Sequence, residues 1–379
     1  MKKKYVVLSI ITLVLLIAFV TSFNYFKTSN TYVENNSNNQ TKITKGISMN
    51  LEQTAGAGDY KQVTQSNWPT EGYKFNAELS KCENGGEISW DDTKKAVIVS
   101  GNLSDKCYVY FDIYQLTLAE YIKSQYTGTQ GDNALYYHNS TLTNGAGDNS
   151  YRYAGASDIV NNYICLGSNE ATCPDANLFR IIGVFGDKTK VIRAKSVGNQ
   201  KWNTSNDNTW SSSSLNTYLN GEYLTSLGTL ADKIATTTWK VGGGSYANIE
   251  TSVPKTAYQY EVGSSASTTT VDKKIGLMYV SDYYYSASSS AWTLIGSSND
   301  ATKDYRAAKT TNWLYLGSFE WTISRSSGNT NSAFLVFSTG NVDSYNVTNS
   351  RVVRPSFNLE SSVKYVSGSG SMSDPVRVN

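Results

Sequence analysis

Few residues of this 379-residue chain could do chemistry: four cysteines, one histidine and a sparse set of carboxylates. Nucleophilic catalysis needs an activating base beside the nucleophile. His138 is the sole imidazole, and in the run Tyr136-Tyr137-His138-Asn139 it reads as a surface side chain. Cys82, Cys107, Cys165 and Cys173 lack the spacing of a zinc site, and one histidine cannot complete a ligand set. Glycoside hydrolysis needs two placed carboxylates. Glu320, beside Trp321, is the candidate, with Asp282 a distant second. Glu320 reads more readily as a structural carboxylate bonded to Arg325 or Arg354. Calcium is the one ion the Gly/Asn/Tyr-rich stretch 128–156 could take, yet Asp148 and Asp158 are too sparse for the alternating ligands it requires. That stretch reads as irregular surface loop. No catalytic residue and no cofactor are therefore expected.

The elements that would position a site cluster near the C-terminus. Trp313-Leu314-Tyr315-Leu316-Gly317 leads to Phe319-Glu320-Trp321 and then to a polar loop, residues 324–332. Two β-favouring runs, Ala333 to Phe337 and Val342 to Tyr345, flank Ser338-Thr339-Gly340-Asn341 and read as a hairpin. Residues 351–359 read as a last strand, with Val353, Phe357 and Leu359 on one side of the pleat and Val352 and Arg354 on the other. Pro355 has no N–H for a ladder, so this strand lies at an edge or is interrupted there.

Trp321-Thr322-Ile323-Ser324-Arg325 and Val352-Val353-Arg354-Pro355-Ser356 resemble the closing strands of the bacterial C-type-lectin-like fold. That group includes the formylglycine-generating enzymes, the variable proteins of diversity-generating retroelements and many proteins ending in a "GVRPA" strand. The resemblance is sharp over about the last hundred residues. It implies an α+β domain, a twisted antiparallel sheet with flanking helices, and a scaffold rather than an activity. The oxidase relatives use cysteines in the C-terminal core. This chain has none after Cys173, so that activity does not carry over.

In lectin-like relatives ligands bind at the loop and hairpin surface. Between Ser324 and Ser350, Ser, Asn and Thr supply 15 of 27 residues, which are expected outside the core. Tyr and Trp offer rigid contact area, while Ser and Asn offer adaptable hydrogen bonds. The expected binding face is Tyr284, Tyr285, Trp292, Arg325, Asn329, Tyr345, Asn346 and Asn349.

Composition bounds the rest. Charged residues are 17%, net charge is +2, and beyond the N-terminus there is no basic block, so no nucleic-acid partner is expected. Lys2-Lys3-Lys4 precedes an apolar run from Tyr5 to Val20 that extends weakly to Phe26. A cationic start before an apolar segment directs export. Residues 1–26 are read as a membrane anchor, with a cleaved signal segment as the alternative. In an exported chain an even cysteine count favours disulfides. Three pairings are possible. Cys82–Cys107 with Cys165–Cys173 is preferred, since each bridge then stays within one apparent unit.

Residues 27–59 are polar and read as a flexible stalk. Residues 60–113 read as a small all-β domain, and residues 114–379 as the lectin-like domain. Thr117-Leu118-Ala119-Glu120 is a capping box opening a helix over 117–127, either a join between the domains or the first helix of the second. Leu178 to Phe185 and Lys190 to Ala194 read as the central hairpin. Ser214 reads as the cap of a helix that Gly221 halts. Residues 236–270 read as a long polar insertion, and long structureless loops are functional or mobile. The expected protein sits at the cell membrane with its domains outside, or is secreted, and binds an extracellular glycan or protein. The competing expectations are an enzyme acting on surface polysaccharide and a structural envelope component.

Overall fold

The computed structural model describes residues 46–64, 67–69, 72–102 and 105–379. The apolar run at 1–26 and residues 27–45 of the stalk lie outside the described residues. Among the described residues, no helix is long and apolar enough to cross a membrane. The chain divides into two compact units, up to Gln115 and from Leu116. It is a mixed α+β protein, rich in sheet and with few helices.

In the first unit, strands β1 (Ile47–Glu52), β2 (Tyr60–Val63), β3 (Tyr73–Cys82) and β6 (Cys107–Ile113) form one sheet in the order β2-β1-β6-β3. β4 (Glu87–Asp91) and β5 (Ala96–Ser100) form a hairpin around the Asp/Lys turn. Cys107, Val109 and Phe111 alternate inward along β6, the period of a one-sided strand. They meet Met49 and Leu51 of β1 in the small core. β1 falls inside the segment read as flexible stalk, which corrects that boundary. Its apolar stretch is too short to stand out from a polar neighbourhood, and it gains order only by lying between β2 and β6. Cys82 and Cys107 face each other across β3 and β6 and are bridged.

The second unit opens with the helix Leu118–Ser124. Thr117 Oγ1 accepts from Glu120 N at 3.1 Å and Glu120 Oε2 accepts from Thr117 N at 2.8 Å. Leu118 and Ile122 are in the main core, so this is the first helix of the second unit. The strands that follow are β7 (Leu135–Tyr137), β8 (Tyr151–Tyr153), β9 (Tyr163–Cys165), β10 (Leu178–Phe185), β11 (Lys188–Arg193) and β12 (Asn199–Lys201). Next come β13 (Thr237–Lys240), β14 (Thr270–Lys273), β15 (Ile275–Gly276), β16 (Glu320–Arg325), β17 (Ser332–Val336) and β18 (Val342–Asn346). The last are β19 (Ser350–Val352), β20 (Ser356–Leu359), β21 (Tyr365–Ser367) and β22 (Val376–Val378).

One sheet runs β15-β20-β11-β10-β9-β22-β21, with β8 also on β10 and β7 on β8. β10 is buried along almost its whole length. A strand covered on both faces reads as a continuous apolar run, and this one does. Gly183 is required there, because a Cβ would lie 2.2 Å from Tyr151 O of β8. A second sheet runs β12-β19-β16-β17-β18. The expected hairpin is β17–β18. Cys165 and Cys173 are bridged beside β9.

The expected last strand is two strands. β19 ends at Val352 in the second sheet and β20 begins at Ser356 in the first. Val353-Arg354-Pro355 carries the chain between them, and β21 and β22 come later. Pro355 marks an interruption rather than an edge, since β20 pairs on both sides with β11 and β15. Arg354 turns inward and grips Glu320 with two bonds, at 2.7 and 2.8 Å, while its Nη2 also reaches Leu314 O at 2.6 Å. Both side chains are at most 3% exposed.

The helix expected from Ser214 is capped one residue earlier, by Ser213 Oγ on Asn216 N. Gly221 does not stop it. The chain passes through a π-turn at Leu219–Tyr223 and stays helical to Ser226.

A buried pair broken on one side strands a charge, at a cost of about 3–5 kcal/mol, whereas replacing both partners costs far less. Glu320→Ala should therefore destabilise the chain by about that amount in urea unfolding. Glu320→Leu with Arg354→Met should recover most of the loss.

Candidate functional site

The side chains with the most unusual surroundings gather where the insertion folds back on the first sheet. This insertion is not structureless. It holds β13, the helices Tyr246–Ile249 and Pro254–Glu261, and β14. Gly243 docks it against β16. Its φ of +65° is in the left-handed region, and a Cβ there would lie 1.9 Å from Arg325 O. Tyr279 fixes β13, accepting from Lys240 N at 3.0 Å and donating to Lys240 O at 3.1 Å.

The cavity so made has a volume of about 270 Å³. β8 contributes Arg152, β10 Phe185 and β11 Lys190. Trp239 and Lys240 come from β13, Tyr258 from the helix Pro254–Glu261, and Asp282 from the helix Val280–Tyr285. Asp148, Thr238 and Asn358 add to the polar lining, with Thr237 and Ser281.

At the floor, Lys190 Nζ contacts Asp282 Oδ2 at 2.5 Å, and the same oxygen accepts from Tyr279 N at 2.8 Å. The ammonium lies 4.6 Å from the Tyr279 ring centre, 5.3 Å from Trp239 and 5.8 Å from Phe185. Burial pulls the Lys190 pKa down, and Asp282 opposes it only in part. Beside it, Arg152 donates from Nη2 to Asp148 Oδ2 at 2.6 Å and from Nε to Ser150 Oγ at 2.8 Å. Its guanidinium sits among the Phe185, Tyr285 and Tyr258 rings, at 4.7, 5.0 and 5.2 Å. Burial raises the Asp148 pKa, but the Arg152 charge and the Ser150 bonds outweigh it and hold the carboxyl at about 2.

Behind the floor lies Glu261. It accepts from Val280 N at 3.0 Å and Ser281 N at 2.7 Å, so it caps the helix Val280–Tyr285 from a neighbouring element. Ser324 Oγ also donates to it. Burial pushes its pKa up to about 6 despite these bonds.

The expected binding face divides. Tyr284, Tyr285 and Trp292 are core residues, at most 1% exposed, which corrects their assignment to a surface. Their polar atoms donate to Ile249 O, Asn144 O and Ala287 O. Arg325 is half-buried and bonded to Gly242 O and Asn208 Oδ1, both at 3.1 Å. Asn329 is exposed in the next loop. Tyr345 is 40% exposed, under the Arg351 guanidinium, and Asn346 and Asn349 follow it. Asn329, Tyr345, Asn346 and Asn349 therefore share the loop edge of the second sheet. Ser324, Ser326, Ser332 and Asn341 of the same stretch are buried, against the expectation that its polar residues stay outside the core.

His138 also departs from expectation. It is fully buried, accepts from Ala146 N through Nδ1 at 3.1 Å, and packs on Tyr285 and Trp292. Burial and then Arg152 hold its pKa well below the usual histidine range, so it is neutral at physiological pH. Glu320 is the structural carboxylate expected, with Arg354 as its partner. Among the described residues, no three Asp, Glu, His or Cys side chains gather to hold a metal ion.

Residues 186–361 match the sequence family described as "Domain of unknown function (DUF6273)". No curated protein matches the chain, and no solved structure does. The matched span contains Lys190, Trp239, Tyr258, Tyr279, Glu261 and Asp282; Asp148 and Arg152 precede it. Lys190 and Asp282 escaped the sequence reading as a pair because 92 residues separate them. A lysine inside an apolar strand was the available signal.

A pair of carboxylates, Glu250 and Asp343, sits away from the cavity. Burial, then Asp343, pushes the Glu250 pKa from an ordinary 4.5 to about 8. Glu250 is therefore protonated in the folded chain at pH values where the unfolded chain has lost that proton. Its contribution to stability is full below pH 4.5 and is lost as pH rises through about 8. Glu250→Gln, neutral throughout, should melt higher than the unmutated chain at alkaline pH and with it at acid pH. Thermal unfolding across that range measures the difference.

Proposed function

We propose that this chain is a surface-displayed binding protein whose second unit takes a small polar group of an extracellular glycan or protein into the cavity beneath β13. The cavity's composition carries the reading. Tyr258 and Phe185 line it together with Thr238, Lys240, Asp148 and Asn358, within one concavity built on the sheet. Binding sites are concave, largely apolar and given direction by a few polar groups. At about 270 Å³ this one suits a single sugar unit or one side chain rather than a large cofactor.

The two disulfides support an oxidising compartment. The lysine-led apolar run at 1–26 supports export, with retention as an anchor. The Trp321 strand, the β17–β18 hairpin and the Val-Arg-Pro segment support a lectin-like scaffold for the second unit. In that scaffold the site lies beside the insertion, not at the loop edge around Tyr345.

The test is a glycan and protein array probed with the full chain in detergent. A ligand should be found, and Tyr258→Ala should weaken it at least about tenfold, equivalent to roughly 1.4 kcal/mol. Tyr345→Ala should leave it unchanged. Binding lost with Tyr345→Ala but kept with Tyr258→Ala would move the site to the loop edge. A folded chain with no ligand on either array would count against a binding role.

A further inference from the structure

The floor of the cavity is a lysine and an aspartate in contact, withdrawn from water and walled by aromatic rings. Lys190 and Asp282 side chains are at most 6% exposed, with Nζ and Oδ2 2.5 Å apart. An ammonium has three donors, and Asp282 takes one of them. The rest of its surroundings include the rings of Tyr279, Trp239 and Phe185. Ion pairs lose their solvation in such a place, and moving one proton turns them into amine and carboxylic acid. In that form an amine lies in contact with an oxygen of the carboxyl group it would attack, so the two reactants are already held together. The Tyr279 N–H points at Asp282 Oδ2 from 2.8 Å, where negative charge would develop during attack. Glu261 is the third group, fully buried on the same helix end, and its charge acts on both partners.

We propose that Lys190 and Asp282 form an intramolecular isopeptide bond that fastens β11 to the start of the helix Val280–Tyr285. The Nζ lone pair attacks Asp282 Cγ, and Oδ2 takes up the displaced electron pair while held by Tyr279 N–H. Two protons pass from nitrogen to Oδ1 by way of Glu261, the first before the attack, which leaves Oδ2 as the carbonyl oxygen, and the second after it. With its pKa near 6, Glu261 can accept and return a proton close to neutrality. The Cγ–Oδ1 bond then breaks, and Oδ1 departs with both protons as water through the cavity mouth. Ammonium and carboxylate become amide and water. Nothing is oxidised or reduced, so no co-reactant is needed. The bond would hold the floor rigid whether or not the cavity takes a ligand, and so stands apart from the binding role.

Mass spectrometry of the full chain, denatured and with its disulfides reduced, decides the matter. A tryptic map should contain a branched peptide joining the Lys190 segment to the Asp282 segment, one water lighter than their sum and uncut after Lys190. Lys190→Met and Asp282→Ala should each abolish it and return the intact mass to that of the sequence. Glu261→Gln should leave a larger unlinked fraction. Separate, full-mass peptides from the unmutated chain would overturn the proposal. So would a loss of water that survives Lys190→Met, which would place the dehydration in an aspartyl succinimide. Because the branched peptide is sought in the unmutated chain, a variant that fails to fold does not blur the answer.

Discussion

Charge carried into a dry interior must be paired, and that requirement organises the second unit. Unpaired, each ion would cost several kcal/mol. Here Glu320 meets Arg354, Asp282 meets Lys190, and Asp148 meets Arg152. Among the described residues Arg180 meets no carboxylate, and it is spread over neutral acceptors instead. Its nitrogens donate to Asn162 Oδ1, Ser157 Oγ and the carbonyls of Trp313 and Val160, between the Tyr163 and Trp313 rings. Burial still drags its pKa down to about 10. Except for Asp148–Arg152, these contacts join segments far apart in sequence. They determine which loop lies on which sheet, something an apolar core alone does not specify.

Tyrosine does similar work without charge. Tyr283, Tyr284 and Tyr305 are buried rings whose hydroxyls end on the carbonyls of Gly340, Ile249 and Tyr284. A tyrosine buries its ring like phenylalanine but must find a partner for its oxygen. Each such bond ties together segments at least 21 residues apart in sequence. This is how a unit with so little regular helix keeps long loops in place, and why 28 tyrosines need not make an adhesive surface.

That dual use of tyrosine explains what could and could not be read from the chain. The central hairpin, the capping box at Thr117, the disulfide pairs and the β17–β18 hairpin were legible because each is local: a period, a cap, a spacing or a turn residue. The stalk boundary was not, since Met49 and Leu51 become core only when β6 lies beside them. Asp282-Tyr283-Tyr284-Tyr285 was misread because a helix buried on every side has no amphipathic stripe. Apart from Tyr279 N on Asp282, the partners of its polar side-chain atoms are distant in sequence: Lys190 and the carbonyls of Gly340, Ile249 and Asn144. For the same reason the eight residues chosen as a surface parted company. Asn329, Tyr345, Asn346 and Asn349 stayed on the loop edge, while Tyr284, Tyr285 and Trp292 went inside. The cavity combines long-range partners throughout, so no window of sequence contains it.

The layout of the cavity separates two jobs. Its floor, Lys190 and Asp282, belongs to elements locked by sheet hydrogen bonds and by two capping carboxylates on one helix end. Its rim, Thr238, Lys240 and Tyr258, belongs to an insertion that meets the body through Gly243 and Tyr279. Asp148 and Arg152 close the remaining side from outside the span that matches the domain family. A change at the rim alters what the cavity presents while leaving Lys190 and Asp282 in contact. A change at the floor strands a buried ion and is felt as lost stability first. Recognition can thus vary at the rim at little cost, provided the floor keeps its partners.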